Sequence, residues 1–150
     1  PEAGKKGMRV SRSIGLLSYR GSSAYNATQQ ENDNLYKIAG FRATTYQQYQ
    51  GDKLCRRFDA YSYRRITEAF DSHNVGRGRG GVERALGTIG ADTLVVGITS
   101  DIILPVGEQL ALWRHIPHCR MELIVSDFGH DGFLVEHAKL DAILGPFIES

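Results

Sequence analysis

Thr93-Leu94-Val95-Val96-Gly97-Ile98 is an apolar, β-branched run with no charged residue in it, and no other stretch constrains the fold so tightly. A strand with one face in water alternates polar and apolar side chains. An uninterrupted apolar run is the pattern of a strand buried on both faces of a parallel sheet. Met121 to Val125 repeats that texture. Between the two runs, Pro105 starts a helix with Leu110, Trp113 and Ile116 facing inward, closed by Pro117. A final helix is predicted with Phe133, Leu140, Leu144 and Phe147 on one stripe. Strand, helix, strand, helix implies parallel strands joined by a right-handed crossover. Two strands do not make a stable parallel sheet alone, so the remaining strands are expected from residues outside this chain.

Ahead of Gly90 the character changes. Residues 1–89 contain no convincing strand, and their apolar positions recur at helical spacing. Arg9 to Tyr19 predicts a helix with Val10, Ile14 and Leu17 on one side, and Tyr63, Ile66 and Phe70 form one stripe expected to be buried. Between them lies a polar, aromatic-rich stretch, Tyr25 to Tyr49, and Gly51-Asp52 is a plausible break before the next helix. The glycine-rich GRGRGG at Gly76 to Gly81 ends this region. It has the look of an RGG box for RNA, but one copy in a chain of net charge +1 favours a structural loop. There the glycines supply positive φ and the arginines pair with carboxylates. The expected division is therefore 1–89, helical, and 90–150, a βαβα unit.

Charge and composition exclude several classes. With 41% hydrophobic and 23% charged residues the chain is globular, and its near-neutral charge gives no field for steering nucleic acid or lipid. No apolar run approaches the roughly 20 residues of a membrane span. Cys55 and Cys119 have no CxxC spacing, provide no metal framework, and suit a reducing cytoplasm. There is no signal peptide, and Pro1-Glu2-Ala3-Gly4 reads as a point inside a longer protein.

Both predicted strands end in a titratable residue at the carboxyl edge of the sheet, where ligands bind in such folds. These are Asp101 and His130, 29 positions apart. Acid then base in that order fits the second and third members of an α/β-hydrolase triad. The imidazole takes a proton from a serine, and the carboxylate fixes its tautomer. Gly129 would let the histidine segment turn tightly. Structural explanations stand beside this one: Ser100 or Asp101 could cap a following helix, and a lone loop histidine is often only a hydrogen-bonding residue. His115 near a helix end suits the helix dipole, His73 and His118 have no stronger claim, and His137 is expected on a packing face. No G-x-S-x-G elbow occurs anywhere in the 150 residues; Ser22 and Ser23 follow Gly21 but no strand precedes them.

Several segments together carry a family resemblance. They are Leu17-Ser18-Tyr19-Arg20, Tyr49-Gln50-Gly51-Asp52-Lys53-Leu54, Arg57-Phe58-Asp59-Ala60 with Ser62-Tyr63, and Asp71-Ser72-His73 with GRGRGG. Val96-Gly97-Ile98-Thr99-Ser100-Asp101 and Gly129-His130-Asp131-Gly132-Phe133-Leu134 complete the set. Over nearly its whole length the chain resembles the C-terminal portion of the homoserine O-acetyltransferase family. The resemblance implies the C-terminal part of an α/β-hydrolase core preceded by a helical lid, with a homodimer built through lid helices. It implies a cytoplasmic enzyme of methionine biosynthesis that passes an acetyl group from acetyl-CoA to a serine and then to the hydroxyl of L-homoserine, in a ping-pong cycle. Acetyl-CoA enters as a substrate; no bound cofactor, metal, nucleic acid or membrane is implied. Asp101 and His130 match the triad acid and base, Arg12 the arginine for the homoserine carboxylate, Tyr19 a substrate-pocket tyrosine, and Asp131 the carboxylate for the ammonium group. The family's nucleophile, its oxyanion-hole donor and its first strands have no counterpart here. The N-terminal remainder of the same protein is expected to bring them, and these residues alone are expected to be inactive. Other readings are a homoserine O-succinyltransferase, an esterase that transfers to water, and a non-catalytic fragment acting in dimerisation.

Overall fold

The computed structural model describes residues 3–32 and 36–150. Pro1, Glu2 and the middle of the polar stretch, residues 33–35, lie outside the described residues, so the expectations placed on them are not addressed. Two compact units are present: residues 1–18 with 22–73, and residues 19–21 with 74–150. The boundary falls at 73/74 rather than 89/90, because the glycine loop and the short helix after it pack with the α/β part.

The first unit is helical: α1 (Lys5–Tyr19), α2 (Ser22–Gln29), α3 (Arg42–Arg57) and α4 (Ala60–Ser72). Helix α1 starts four residues earlier than its apolar periodicity predicts. Gly4 has φ +82°, and a methyl group there would lie 2.4 Å from the Ala60 Cβ, so glycine permits both the turn into α1 and its close approach to α4. The expected break at Gly51-Asp52 is wrong. α3 runs straight through it, with Gly51 buried and its missing Cβ only 3.2 Å from the Arg9 Cα. Glycine is there for helix contact, and an Arg9–Asp52 ion pair flanks the crossing. The real break is Phe58-Asp59. Asp59 caps α4 by accepting from the Ser62 amide at 2.9 Å and the Ser62 hydroxyl at 2.7 Å, bonds that hold its carboxyl below the usual range.

The stripes of this unit are spaced as predicted but not covered. Met8 and Leu16 are the buried residues of α1, whereas Ile14 is 65% exposed and Val10 and Leu17 are also open. On α4, Phe70 is 77% exposed and Ile66 is exposed as well. The helical spacing was right, but α1 packs through Met8 and Leu16, on the side opposite the predicted stripe.

In the second unit, the loop Asn74–Gly81 leads into α5 (Val82–Leu86), β1 (Thr93–Ile98), α6 (Val106–His115) and β2 (Cys119–Ile124). A 3-10 turn (Gly129–Asp131), α7 (Gly132–Val135) and α8 (His137–Ile148) follow. The strands pair in parallel, Thr93 opposite Cys119 through Ile98 opposite Ile124, as the strand–helix–strand order requires. Ala85, Leu86, Val95, Ile98, Ile116 and Ile124 form the core. Strand β2 begins two residues before the predicted start, since the Thr93 pairing recruits Cys119 and Arg120. It also stops before Val125, which is 75% exposed.

Three further expectations are corrected. Trp113 is exposed, while Gln109 turns inward on α6. The last helix is two helices, α7 and α8, divided at Glu136, whose ψ of 48° is not helical; Phe133 and Leu144 are consequently open. His137 is exposed at the start of α8 rather than packed. The GRGRGG segment is a structural loop with positive φ at Gly78, Gly80 and Gly81. There the Arg79 guanidinium donates to the Val75 carbonyl at 2.8 Å, not to a carboxylate. Among the described residues, no helix is long and apolar enough to cross a membrane.

Candidate active site

The site is assembled where β1 and β2 end. Beyond Ile98 the Thr99 amide still donates to the Ile124 carbonyl at 3.0 Å, so the two strand ends leave the sheet side by side. Asp101 follows β1 and is buried. Its Oδ1 accepts from the backbone amides of Ile103 at 2.8 Å and Leu104 at 3.0 Å. Its Oδ2 accepts from His130 Nδ1 at 2.8 Å. Oδ1 thus closes a tight turn ahead of α6, and neither Ser100 nor Asp101 caps that helix as the sequence had allowed. The N-cap of α6 itself is Pro105.

Burial raises the Asp101 carboxyl most strongly of any single influence. The hydrogen bonds from Leu104, His130 and Ile103, with the attraction of the imidazole, outweigh it and leave the group below the usual carboxylate range. An ionised carboxylate only accepts. His130 Nδ1 must then carry the proton, and Nε2 is the ring nitrogen able to take one from a hydroxyl.

His130 is held on its 3-10 turn by neighbours from three directions. Ser100 Oγ accepts from the Gly129 amide at 2.9 Å, tying the histidine turn to the aspartate turn. The Phe133 ring meets the imidazole edge-on, centroids 5.6 Å apart, and the Tyr19 ring lies 6.1 Å away. Gly132 is buried, and a methyl group on it would lie 3.0 Å from Ile98 Cδ1, so the turn sits directly on the end of β1. Gly129 has φ +64°, the tight turn its sequence position suggested. The buried Ser126 hydroxyl accepts from the Phe128 amide at 3.2 Å.

Of the five residues singled out from sequence, the second unit brings together four. Tyr19, Asp101 and Asp131 all lie in or beside the His130 turn, and Asp131 Oδ2 accepts from Arg20 Nε at 3.2 Å. Arg12 is half-buried on α1 in the first unit. Sequence reasoning missed Arg20, Ser100 and Phe133. Ser100 carried a signal, adjoining the acid at a strand end; Arg20 carried none, standing 111 positions from its carboxylate. Among the described residues no group of three or more His, Cys, Asp or Glu is placed to hold a metal ion.

The chain is similar along its length to known proteins. A homoserine O-acetyltransferase of Cyclobacterium marinum is 42% identical over 147 residues, which cover 98% of this chain and 41% of the relative. The crystal structure of homoserine O-acetyltransferase from Staphylococcus aureus matches with a TM-score of 0.77 and 29% identity, over 99% of this chain and 42% of that one. Esterase E22 matches with a TM-score of 0.79 at 18% identity, over 95% and 42%, a likeness of fold alone. No family model matches. The architecture is thus part of an α/β-hydrolase fold, and the chain spans about 40% of the length of the curated relatives it matches. With identity at this level running through 98% of its residues, the chain belongs to the homoserine O-acetyltransferase family.

Proposed function

We propose that this chain supplies the acid–base pair of an acyltransferase that moves an acetyl group from acetyl-CoA to the side-chain hydroxyl of L-homoserine. The observation that carries the reading is the 2.8 Å hydrogen bond between His130 Nδ1 and the buried Asp101 Oδ2, in a chain whose curated relatives bear that name. His130 Nε2 takes the proton of a serine hydroxyl as it attacks the acetyl thioester, Asp101 stabilises the imidazolium, and that proton passes to the CoA thiolate as the C–S bond breaks and CoA leaves. A second cycle at the same imidazole activates the homoserine hydroxyl against the acetyl-serine, giving ping-pong kinetics. The serine stands outside these 150 residues, in the N-terminal remainder of the protein, and without it this chain is inactive. Asp131 takes the substrate ammonium group, Arg12 its carboxylate, and Tyr19 closes the pocket beside His130; an amino acid needs one group of each sign. No cofactor enters the cycle. The enzyme works in the cytoplasm for methionine synthesis, as a homodimer for which the open Val10, Ile14 and Leu17 face of α1 is suited.

The test is thiol release from acetyl-CoA by the protein that carries the nucleophile, with and without L-homoserine, and mass detection of the acetylated product. Homoserine-dependent release, abolished by His130→Ala, is the expected result. Release to water unaffected by homoserine would make the protein an esterase, and a preference for succinyl-CoA would change the donor. Arg12→Lys, which loses the guanidinium fork, is expected to raise KM for homoserine more than KM for acetyl-CoA.

A further inference from the structure

We infer that Arg20 is a positioning residue that sets the acceptor specificity of the site by anchoring Asp131, an inference resting on the acyltransferase reading above. Three successive residues, Tyr19, Arg20 and Gly21, each meet the segment that carries His130. The Tyr19 ring lies 6.1 Å from the imidazole. Arg20 Nε donates to Asp131 Oδ2 at 3.2 Å, both side chains being 29% exposed. At Gly21 the backbones come so close that a methyl group would lie 2.0 Å from the Asp127 carbonyl oxygen. The tripeptide is a strap across the histidine turn, and Arg20 brings a charged contact to it.

The chemistry follows from which oxygen is used. Asp131 directly follows His130 on the same 3-10 turn, so a cation on its carboxylate is held by the element that carries the imidazole. A free aspartate carboxylate rotates about its terminal torsion and offers either oxygen in many directions. With Oδ2 held by a guanidinium that is itself fixed at the end of α1, rotation is restricted, and Oδ1 remains for an ammonium group. Among the described residues the carboxylate's hydrogen bond goes to Oδ2. The fixed Oδ1 then selects an acceptor whose amino group stands at one set distance from its hydroxyl, which is the property that separates a β-hydroxy from a γ-hydroxy amino acid. Arg20 acts through Asp131 and touches neither the acyl group nor the reacting oxygen.

The experiment uses the complete enzyme and compares wild type, Arg20→Ala, Arg20→Lys, Asp131→Asn and the Arg20→Ala/Asp131→Asn double variant. Steady-state KM is measured for homoserine and for acetyl-CoA, and kcat/KM for homoserine is set against that for serine. Losing one charge-assisted bond to the binding carboxylate is expected to raise KM for homoserine about 10-fold in Arg20→Ala. The change in KM for acetyl-CoA is smaller, the preference for homoserine over serine narrows, and Arg20→Lys recovers part of both. In the Asp131→Asn background the Arg20→Ala change adds nothing, because the carboxylate it anchors is gone. Equal effects on both substrates, unchanged preference, or full additivity in the double variant would overturn the inference while leaving the functional reading intact. If the wild type transfers nothing to homoserine, the functional reading fails and the inference with it.

Discussion

Gly129 and Gly21 meet backbone to backbone: a methyl group built on Gly129 would lie 2.5 Å from the Gly21 amide nitrogen and 2.9 Å from the Tyr19 carbonyl oxygen. Gly129 also has φ +64°, a region that side chains with a Cβ enter at a cost of about 1–3 kcal/mol. Gly129→Ala therefore meets strain and a clash with main chain that cannot swing aside. The expected outcome is displacement of the His130 turn, with stability lowered by at least that strain, together with loss of acyl transfer. Urea unfolding and the transfer assay read the two effects. Full activity with unchanged stability would mean that the strap and the turn do not meet.

Asp101→Asn keeps the shape of the acid and changes what His130 sees. The carboxylate accepts from Nδ1–H, whereas an amide can present its NH2 and leave the imidazole in the opposite tautomer, with the proton on the nitrogen that should act as base. In the complete enzyme the expected loss in kcat is roughly 10⁴-fold, the size of effect found when a triad carboxylate becomes an amide, with KM values little altered. A loss smaller than about tenfold in kcat removes Asp101 from the proton relay.

The same residue predicts an acid limb in the stability curve. Its carboxyl lies below the usual range when folded, so unfolding raises its affinity for a proton. The stabilisation from that shift is present above the unfolded pKa of about 3.9 and is lost as pH falls through the lower folded value. Wild type and Asp101→Asn compared by denaturant unfolding should differ most above pH 5 and converge below about pH 4. The comparison matters because Glu31, Asp59, Glu68 and Glu136 are lowered as well, by bonds from Lys37, Ser62, Arg64 and Lys139 respectively. Their share cancels in the difference. A gap that stays constant from pH 7 to pH 3 would contradict the shift assigned to Asp101.

What could be read in the sequence was what local pattern controls. An unbroken apolar run gave β1, strand–helix–strand order gave parallel pairing, and two strand ends gave Asp101 beside His130, because parallel strands deliver their carboxyl ends to one edge. Contacts hid the rest. Gly51 looked like a helix breaker since glycine's propensity is local, while its reason for being there is Arg9 on another helix. Val10, Ile14 and Leu17 looked buried because their spacing is helical, yet α1 packs through Met8 and Leu16 on its other side, and Ile66 and Phe70 of α4 are exposed too. Cys119 and Arg120 joined β2 through a ladder that no property of their side chains announces. Arg20 needed a fold to bring it to Asp131.

Gln109 offers a prediction independent of any catalytic reading. It is 9% exposed on α6, where the apolar pattern pointed to Trp113 instead, and its Oε1 is buried without a hydrogen-bond partner among the described residues. A buried amide oxygen left unpaired carries its desolvation penalty with nothing to offset it. Leucine has a similar helix propensity and no polar atom to desolvate. Branching at Cγ meets little resistance at Gly97, which has no side chain there: even a methyl group built on it would stand 3.4 Å from that Oε1 and 3.6 Å from the Gln109 Cγ. The penalty relieved should therefore exceed the repacking strain. Gln109→Leu is expected to stabilise the chain by about 1 kcal/mol, read as a higher urea midpoint at unchanged slope. A destabilisation of similar size would mean that the amide is engaged after all, and that α6 needs a polar group where it faces β1.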